Sequence, residues 1–470
     1  MISILKKAEI VIFGFLLFTL VWLPLPLGSN RPWAWALMQV SFFLVTALLC
    51  LTIPGSVLVT LKRYKVVMTL WLIFIGLQVC LLIPLPQEVA IQIRPERISL
   101  LESFNIPSLY SLSFDTGQSY IALFKSLSFF CLFLSLLTLV KTMFRLKILV
   151  AVLGMSGLMQ AFYGAFEVLS GIERSLIFDI PVSHIATGSF IYKNHFANYL
   201  LLTISAAIGY LVSTLKDTPA YTQKDLLRHW VSFWLSSKVV FRLAIICMVI
   251  ALVMSRSRMG NSAFFISMTL TAGVGFLYFR PRLKSYTFLF ISMLVIDIAI
   301  VSSIFGLKEV QTRIEQTSID EETRDEIIVD SVPLMSKYSV LGTGGGSFYT
   351  VYPKYQSSQV NLAYDHAHNE YLQFFIEFGA VSFISLFAIV FTCLTSSFNA
   401  LKRRRHNIAR GAAFASFMAI IGMALQASVD FPLQAPANAA TFICLLAIGL
   451  MSKKIKASGK SRRKGKQVIV

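Results

Sequence analysis

The sequence predicts an all-α polytopic membrane protein of about twelve transmembrane helices with both termini cytoplasmic. Three observations carry that reading. Apolar residues make up 56% of the 470 positions and the mean hydropathy is +0.71. Charged residues are only 14%, against roughly 25% in a soluble domain. The basic residues recur in alternate connections between apolar runs, as the positive-inside rule requires.

About 20 apolar residues cross a bilayer as a helix. On that measure the spans are 8–27, 33–54, 66–86, 119–140, 148–169, 195–215, 239–255, 260–279, 286–306, 371–395, 411–429 and 434–451. The start, Met1 to Lys7, has the basic flavour of a signal peptide. The run behind it is long and has no clear small-residue cleavage site, so it reads as an uncleaved first helix.

With Lys6 and Lys7 inside and the chain alternating, the inside segments hold 29 of the 42 Lys and Arg. These include Lys62, Arg63 and Lys65, then Arg280, Arg282 and Lys284, Lys402 to Arg405, and the tail Lys453 to Lys466. The acids there are Glu9, Asp217 and Asp225. The net charge of +19 is therefore a signal of topology and does not point to nucleic acid as a partner. The basic tail, 452–470, reads as lying against anionic membrane lipids. The six cysteines stand singly, so the sequence shows neither a disulfide framework nor a zinc pattern. Two outside segments are long, 87–118 and 307–370, and the second is too long for a plain connection.

The unusual polar residues gather on the outside. One group is Lys193, Asn194 and His195, ahead of the sixth span. A second is Ser255-Arg256-Ser257-Arg258. The large loop contributes Arg324 beside Asp325 and Glu326, the glycine run Gly342 to Gly346, and Asp365-His366-Ala367-His368-Asn369. A last polar turn, Asp430 to Gln434, joins the final two spans.

Arg256 and Arg258 interrupt apolar runs on the side poor in positive charge. Two readings fit them: interfacial anchors that snorkel to headgroups, or a clamp whose guanidinium forks match phosphate oxygens. His366 and His368 fit a structural loop or a general base, since imidazole titrates near neutral pH. Asn369 is placed to cap the helix that follows. No third spaced ligand accompanies the His-X-His pair, so no metal is expected. The glycine run lacks the Lys-Ser/Thr ending of a nucleotide loop. It reads as a tight turn packed under the histidines. The acids Asp320, Glu321, Glu322, Asp325 and Glu326 fit a solvated helix start or a group that orients Arg324.

Lys193-Asn194-His195-Phe196-Ala197, Ser257-Arg258, Arg324, Leu341-Gly342-Thr343-Gly344 and Ala367-His368-Asn369-Glu370-Tyr371-Leu372 through Gly379 together resemble the O-antigen ligase and O-antigen polymerase superfamily. The distinctive stretch runs from about 188 to 380. Earlier helices match by hydropathy and by the Arg31-Pro32-Trp33 turn. In the ligases a second small residue follows the glycine by three places; here Gly379 holds the first place but Ser382 stands at the second, a mild departure from the pattern.

The resemblance implies N-terminal helices over 1–186, a ligase-like core over 187–395 with its periplasmic loop at 307–370, and C-terminal helices over 396–451. It implies a multi-pass protein of the bacterial inner membrane. The expected reaction is metal-independent, inverting transfer of a glycan from polyprenyl (undecaprenyl) diphosphate to an acceptor hydroxyl, without a cofactor. Acceptors in the family are lipid A-core, a carrier-linked repeat, or in some relatives a protein. His368, Arg258 and Arg324 would be catalytic. Arg256, His195, Asn194, Lys193, His366 and Asn369 would bind substrate.

A transporter or flippase of lipid-linked sugars is the alternative, since twelve helices suit it equally. Against it, Leu51 to Lys65 lacks the Gly-X-X-X-Asp-Arg pattern of facilitator transporters. Transporters also keep ionisable groups near mid-membrane, where this reading places Asp297 alone.

Overall fold

The computed structural model describes residues 2–98, 110–182, 184–215, 237–279, 286–287, 290–291, 318–357 and 363–455. Among them every regular element is helical, apart from one isolated bridge between Arg174 and Pro181. Helix is what the bilayer demands, because each backbone N–H and C=O there must be satisfied within its own segment.

The helices are α1 (Ile2–Trp22), α2 (Pro32–Thr52), α3 (Pro54–Arg63), α4 (Lys65–Leu82), α5 (Gln87–Ile93), α6 (Thr116–Leu139), α7 (Met143–Leu169) and α8 (Lys193–Thr214). They continue with α9 (Ser237–Met254), α10 (Arg258–Tyr278), α11 (Ser318–Lys337), α12 (Phe348–Val351), α13 (Glu370–Arg403), α14 (Asn407–Ala427) and α15 (Pro436–Lys454). Nine of those described are long and apolar enough to cross a membrane: α2, α4, α6, α7, α8, α10, α13, α14 and α15. Helices α1 and α9 coincide with two further expected spans. Most of the expected span 286–306 lies outside the described residues, as does Asp297.

Starts follow local chemistry. Asp115, Thr142, Ser257 and Asn369 each accept a backbone N–H two or three residues into their helices. Proline opens α2, α3 and α15, where its missing N–H costs nothing. Pro54 also divides what the sequence alone read as one connection, so α3 stands as a separate short helix ending in Lys62 and Arg63.

Helices α8 and α15 are the centre of the bundle, with 94% of the span window of each buried. Between apolar helices in lipid, close packing replaces the hydrophobic effect, and small residues permit it. Gly209 of α8 and Gly411 of α14 show this: a methyl group on either would collide with the carbonyl oxygen of the other. Large apolar side chains such as Val11, Phe18, Val40, Leu72, Ile384 and Phe387 remain exposed on the perimeter, where lipid covers them.

The two ends differ. At one, Arg63 donates to the Lys454 carbonyl and Lys454 returns a bond of 2.6 Å to the Arg63 carbonyl. There Glu9 takes Arg145 at 2.5 Å and lies 3.9 Å from Lys141, and Asn407 donates to the Leu215 carbonyl at 3.1 Å. At the other end the starts of α6, α8, α10, α13 and α15 gather.

The connections that precede α6 and α13 interlock at that second end. Phe114 N bonds to the Thr343 carbonyl at 2.9 Å, Arg94 donates to the Gly342 carbonyl, and Lys337 pairs with Glu96. Asp115 receives the hydroxyls of Tyr349 at 2.7 Å and Thr350 at 3.3 Å.

Candidate functional site

The site is built around a turn. Residues 428–435, between α14 and α15, carry the Phe431 ring into the start of α8 and the loop before α13. His366 stacks on that ring at 4.3 Å between centroids, inclined by 27°. His368 meets it edge-on at 4.9 Å, and His195 edge-on at 5.2 Å. Tyr192 stacks on it at 5.5 Å. The structure thus brings His195, His366 and His368 to one aromatic residue that the sequence reading left as part of a turn.

Each histidine is held differently. His195 is 5% exposed, and its Nε2 lies 3.2 Å from the Phe431 carbonyl oxygen. The His366 Nδ1 is 3.1 Å from Nε2 of Gln373. Burial pulls the His366 imidazole below its ordinary range, and Lys125 adds to this. Asp365 and the Gln373 contact oppose it. His368 has φ +50, a left-handed backbone that a non-glycine residue adopts at a cost. Its Nδ1 is 3.9 Å from Oδ1 of Asp430, which is 2% exposed.

Asn369 is the expected cap. Its Oδ1 accepts Leu372 N at 3.1 Å, and its Nδ2 donates to the Ser428 carbonyl at 3.0 Å. Both ends of the amide are engaged, so Asn369 positions the His368 turn. Asn194 is held too: its Nδ2 donates to the Tyr192 hydroxyl at 2.8 Å, and its backbone carbonyl accepts from Gln426 Nε2 at 3.0 Å. Glu370, 2% exposed, accepts Leu433 N at 2.9 Å and Gln434 Nε2 at 3.2 Å. These contacts fasten the Phe431 turn to α13.

The glycine turn does not lie directly under the histidines as expected. It packs two turns down α13, where Gly379 leaves the helix with φ 73 and ψ 170. Thr343 N reaches the Ile376 carbonyl at 2.8 Å, and Gly344 N the Glu377 carbonyl at 2.9 Å. Side chains at Gly342 or Gly379 would strike the opposing backbone. A chain of contacts links this turn upward to the histidines. Glu377 accepts Gly346 N at 2.9 Å and Gln373 Nε2 at 3.0 Å, and Gln373 faces His366.

Arg256 and Arg258 are both exposed, at the turn between α9 and α10. Arg256 has φ +51 and Ser257 caps α10. The turn touches the histidine region through Gly260, which packs on Ala197 in the first turns of α8. Lys193, half-buried, opens that helix. The Arg324 backbone lies in α11, and its side chain is outside the described residues. Among the described residues no three His, Cys, Asp or Glu side chains are grouped to hold a metal ion.

A cavity of about 690 Å³ opens at this end. Its mouth carries Asp365, His366, His195, Glu370, Gln118 and Tyr349. Its length runs along α13 past Phe383 and Phe387 to Leu394. Below the break at Gly379, Leu394 lies about 22 Å of helix further on at roughly 1.5 Å per residue, most of the roughly 30 Å hydrocarbon core. Phe387 and Phe391 are more than half exposed, so the apolar length opens sideways to lipid.

The cavity also overturns the expectation that Asp297 is alone as an ionisable residue deep in a span. Lys125 of α6 and Glu377 of α13 both line it. Sequence reasoning missed Lys125, Gln373, Glu377 and Asp430 as site residues. Lys125 had a visible signal, a lone cation inside an apolar run. The others become significant only through contacts between distant segments.

Residues 243–387 match the O-antigen ligase family. The stretch includes Arg256, Arg258, Arg324, His366, His368 and Asn369, so the similarity covers part of the chain and takes in these polar residues singled out from the sequence. No curated protein matches the chain.

Proposed function

From the O-antigen ligase domain at residues 243–387, we propose that this membrane protein transfers a glycan from polyprenyl (undecaprenyl) diphosphate to an acceptor hydroxyl on the periplasmic face of the bacterial inner membrane. The observation that carries the reading is the cavity: a mouth of histidines and acids above a long apolar length that runs down α13 to Leu394. That shape suits a substrate with a polar head, a reacting sugar and one long hydrocarbon tail.

In this reading His368 takes the proton from the acceptor hydroxyl as its oxygen attacks the anomeric carbon. The bond from that carbon to the diphosphate oxygen breaks, and polyprenyl diphosphate leaves with the electron pair. Attack from the opposite face inverts the carbon. Arg258 and Arg324 offset the charge that grows on the departing phosphate. Arg256 and Lys193 extend the cationic rim. His195 and His366 border the acceptor, and Asn194 and Asn369 hold the turn that presents them. The reaction needs no metal or nucleotide, because fixed cations and a base supply its electrostatics.

Lys125 and Glu377 inside the spans favour a second reading, a flippase or transporter of lipid-linked sugars, since such proteins keep charges at depth. The lipid-linked glycans that accumulate when the protein is removed separate the cases. Long chains left on carrier mark a ligase acting on lipid A-core, and single repeats mark a polymerase. Build-up on the cytoplasmic face marks a flippase and refutes the transferase reading.

A further inference from the structure

Lys125 has no role in the chemistry described so far, yet it stands in the wall of the cavity. It lies nine residues into α6, about 13 Å of helix from the start. Its ammonium sits over the Trp35 ring, 5.4 Å from the centroid. Among the described residues it makes no hydrogen bond. Glu377 is the carboxylate that acts on it electrostatically. That carboxylate is already occupied by Gly346 N, Gln373 Nε2 and, at 3.4 Å, Phe348 N. Lys125 therefore keeps its donors open to the cavity, where polar mouth gives way to apolar length.

A cation enclosed within membrane spans is costly unless something answers its charge. An anion lodged at that depth must also tolerate apolar walls on its inner side. The phosphate of a lipid meets both conditions: its oxygens face the ammonium and its tail continues along α13 toward Leu394.

We propose that Lys125 binds the lipid-proximal phosphate of a polyprenyl diphosphate whose single tail fills the apolar length of the cavity. The choice of polyprenyl diphosphate over a phospholipid rests on the transferase reading and on the one long channel along α13. It sets the orientation of the donor. The lipid-proximal phosphate is anchored below the mouth, and the sugar-bearing phosphate then lies level with His366 and His368.

The test uses full-length protein in nanodiscs of neutral phosphatidylcholine, with undecaprenyl diphosphate, undecaprenol and phosphatidylglycerol as probes. Lys125→Gln should weaken undecaprenyl diphosphate roughly ten- to hundredfold, the range for losing a charged hydrogen bond. Undecaprenol should bind equally to both proteins, which also reports that the variant is folded. Lys125→Arg should recover most of the diphosphate affinity. Unchanged diphosphate binding in Lys125→Gln, or equal loss of diphosphate and undecaprenol, overturns the proposal. So does phosphatidylglycerol binding as tightly and depending as strongly on Lys125, which would mark a phospholipid site. If the wild type transfers no glycan while Lys125-dependent diphosphate binding persists, the transferase reading fails and this site stands.

Discussion

His368 and Asp430 come from two different helix connections, and Nδ1 of the imidazole lies 3.9 Å from Oδ1 of the nearly buried carboxylate. The left-handed backbone at His368, with φ +50, and the capping bonds of Asn369 hold the ring there. A carboxylate beside a base fixes the orientation of the imidazole and stabilises the cation formed when it accepts a proton.

Asp430→Asn keeps the shape and removes the charge. It should slow glycan transfer by roughly fivefold or more, from about 1 kcal/mol upward for two charges some 4 Å apart, with little change in the donor concentration needed for half-maximal rate. Steady-state kinetics on reconstituted protein check this. A loss confined to protein abundance would assign Asp430 to folding instead.

Arg258→Ala and Arg324→Ala should each reduce transfer about a hundred- to a thousandfold, the usual loss when one transition-state contact is removed. Arg258 is exposed, so its removal should leave the thermal midpoint near that of the wild type. Near-normal transfer in both variants at normal abundance would refute the phosphate clamp.

Burial lowers the His366 pKa from its ordinary value of 6.5. The ring therefore resists protonation in the folded state. Its contribution to stability is present above pH 6.5 and is lost as pH falls through the lower folded value. Asp365, Lys125 and His195 are the titratable groups around it. Thermal unfolding in detergent should show a fall in midpoint between pH 7 and pH 5 that is smaller in His366→Gln than in the wild type. Parallel pH curves would show that His366 does not titrate there.

The orientation is open to reporter fusions. Fusions after Lys65, Arg145 and Arg405 should report cytoplasm, and fusions near Thr116 and Ser318 the periplasm. A cytoplasmic signal at Ser318 would put the histidine loop on the wrong side of the membrane for this chemistry.

Helix positions were legible because an apolar run of about 20 residues has few other fates. The helix start at Glu370 was legible through Asn369, a residue whose side chain caps by short-range geometry. The length of α13 was not. It continues to Arg403, past the end of the apolar run, because its last turns pack at the basic end of the bundle. His366, His368 and Arg258 stood out as polar residues where apolar ones were due. Phe431 gave no such sign: an aromatic residue in a turn is ordinary until three histidines from two separate segments meet on it. Glu377 and Gln373 fell inside the expected span 371–395 without being singled out. Their pairing with Gly346 and His366 exists only in three dimensions.

The most direct test of the account is glycan transfer by purified protein in lipid, with a carrier-linked donor and an acceptor glycolipid, comparing the wild type with His368→Ala and His366→Ala. The account predicts that His368→Ala abolishes transfer while still binding the donor, that His366→Ala only weakens it, and that a chelator changes neither the wild type nor the variants. Full activity in His368→Ala would contradict the general-base role. Loss of wild-type transfer in chelator, recovered by adding metal, would replace it with a metal mechanism.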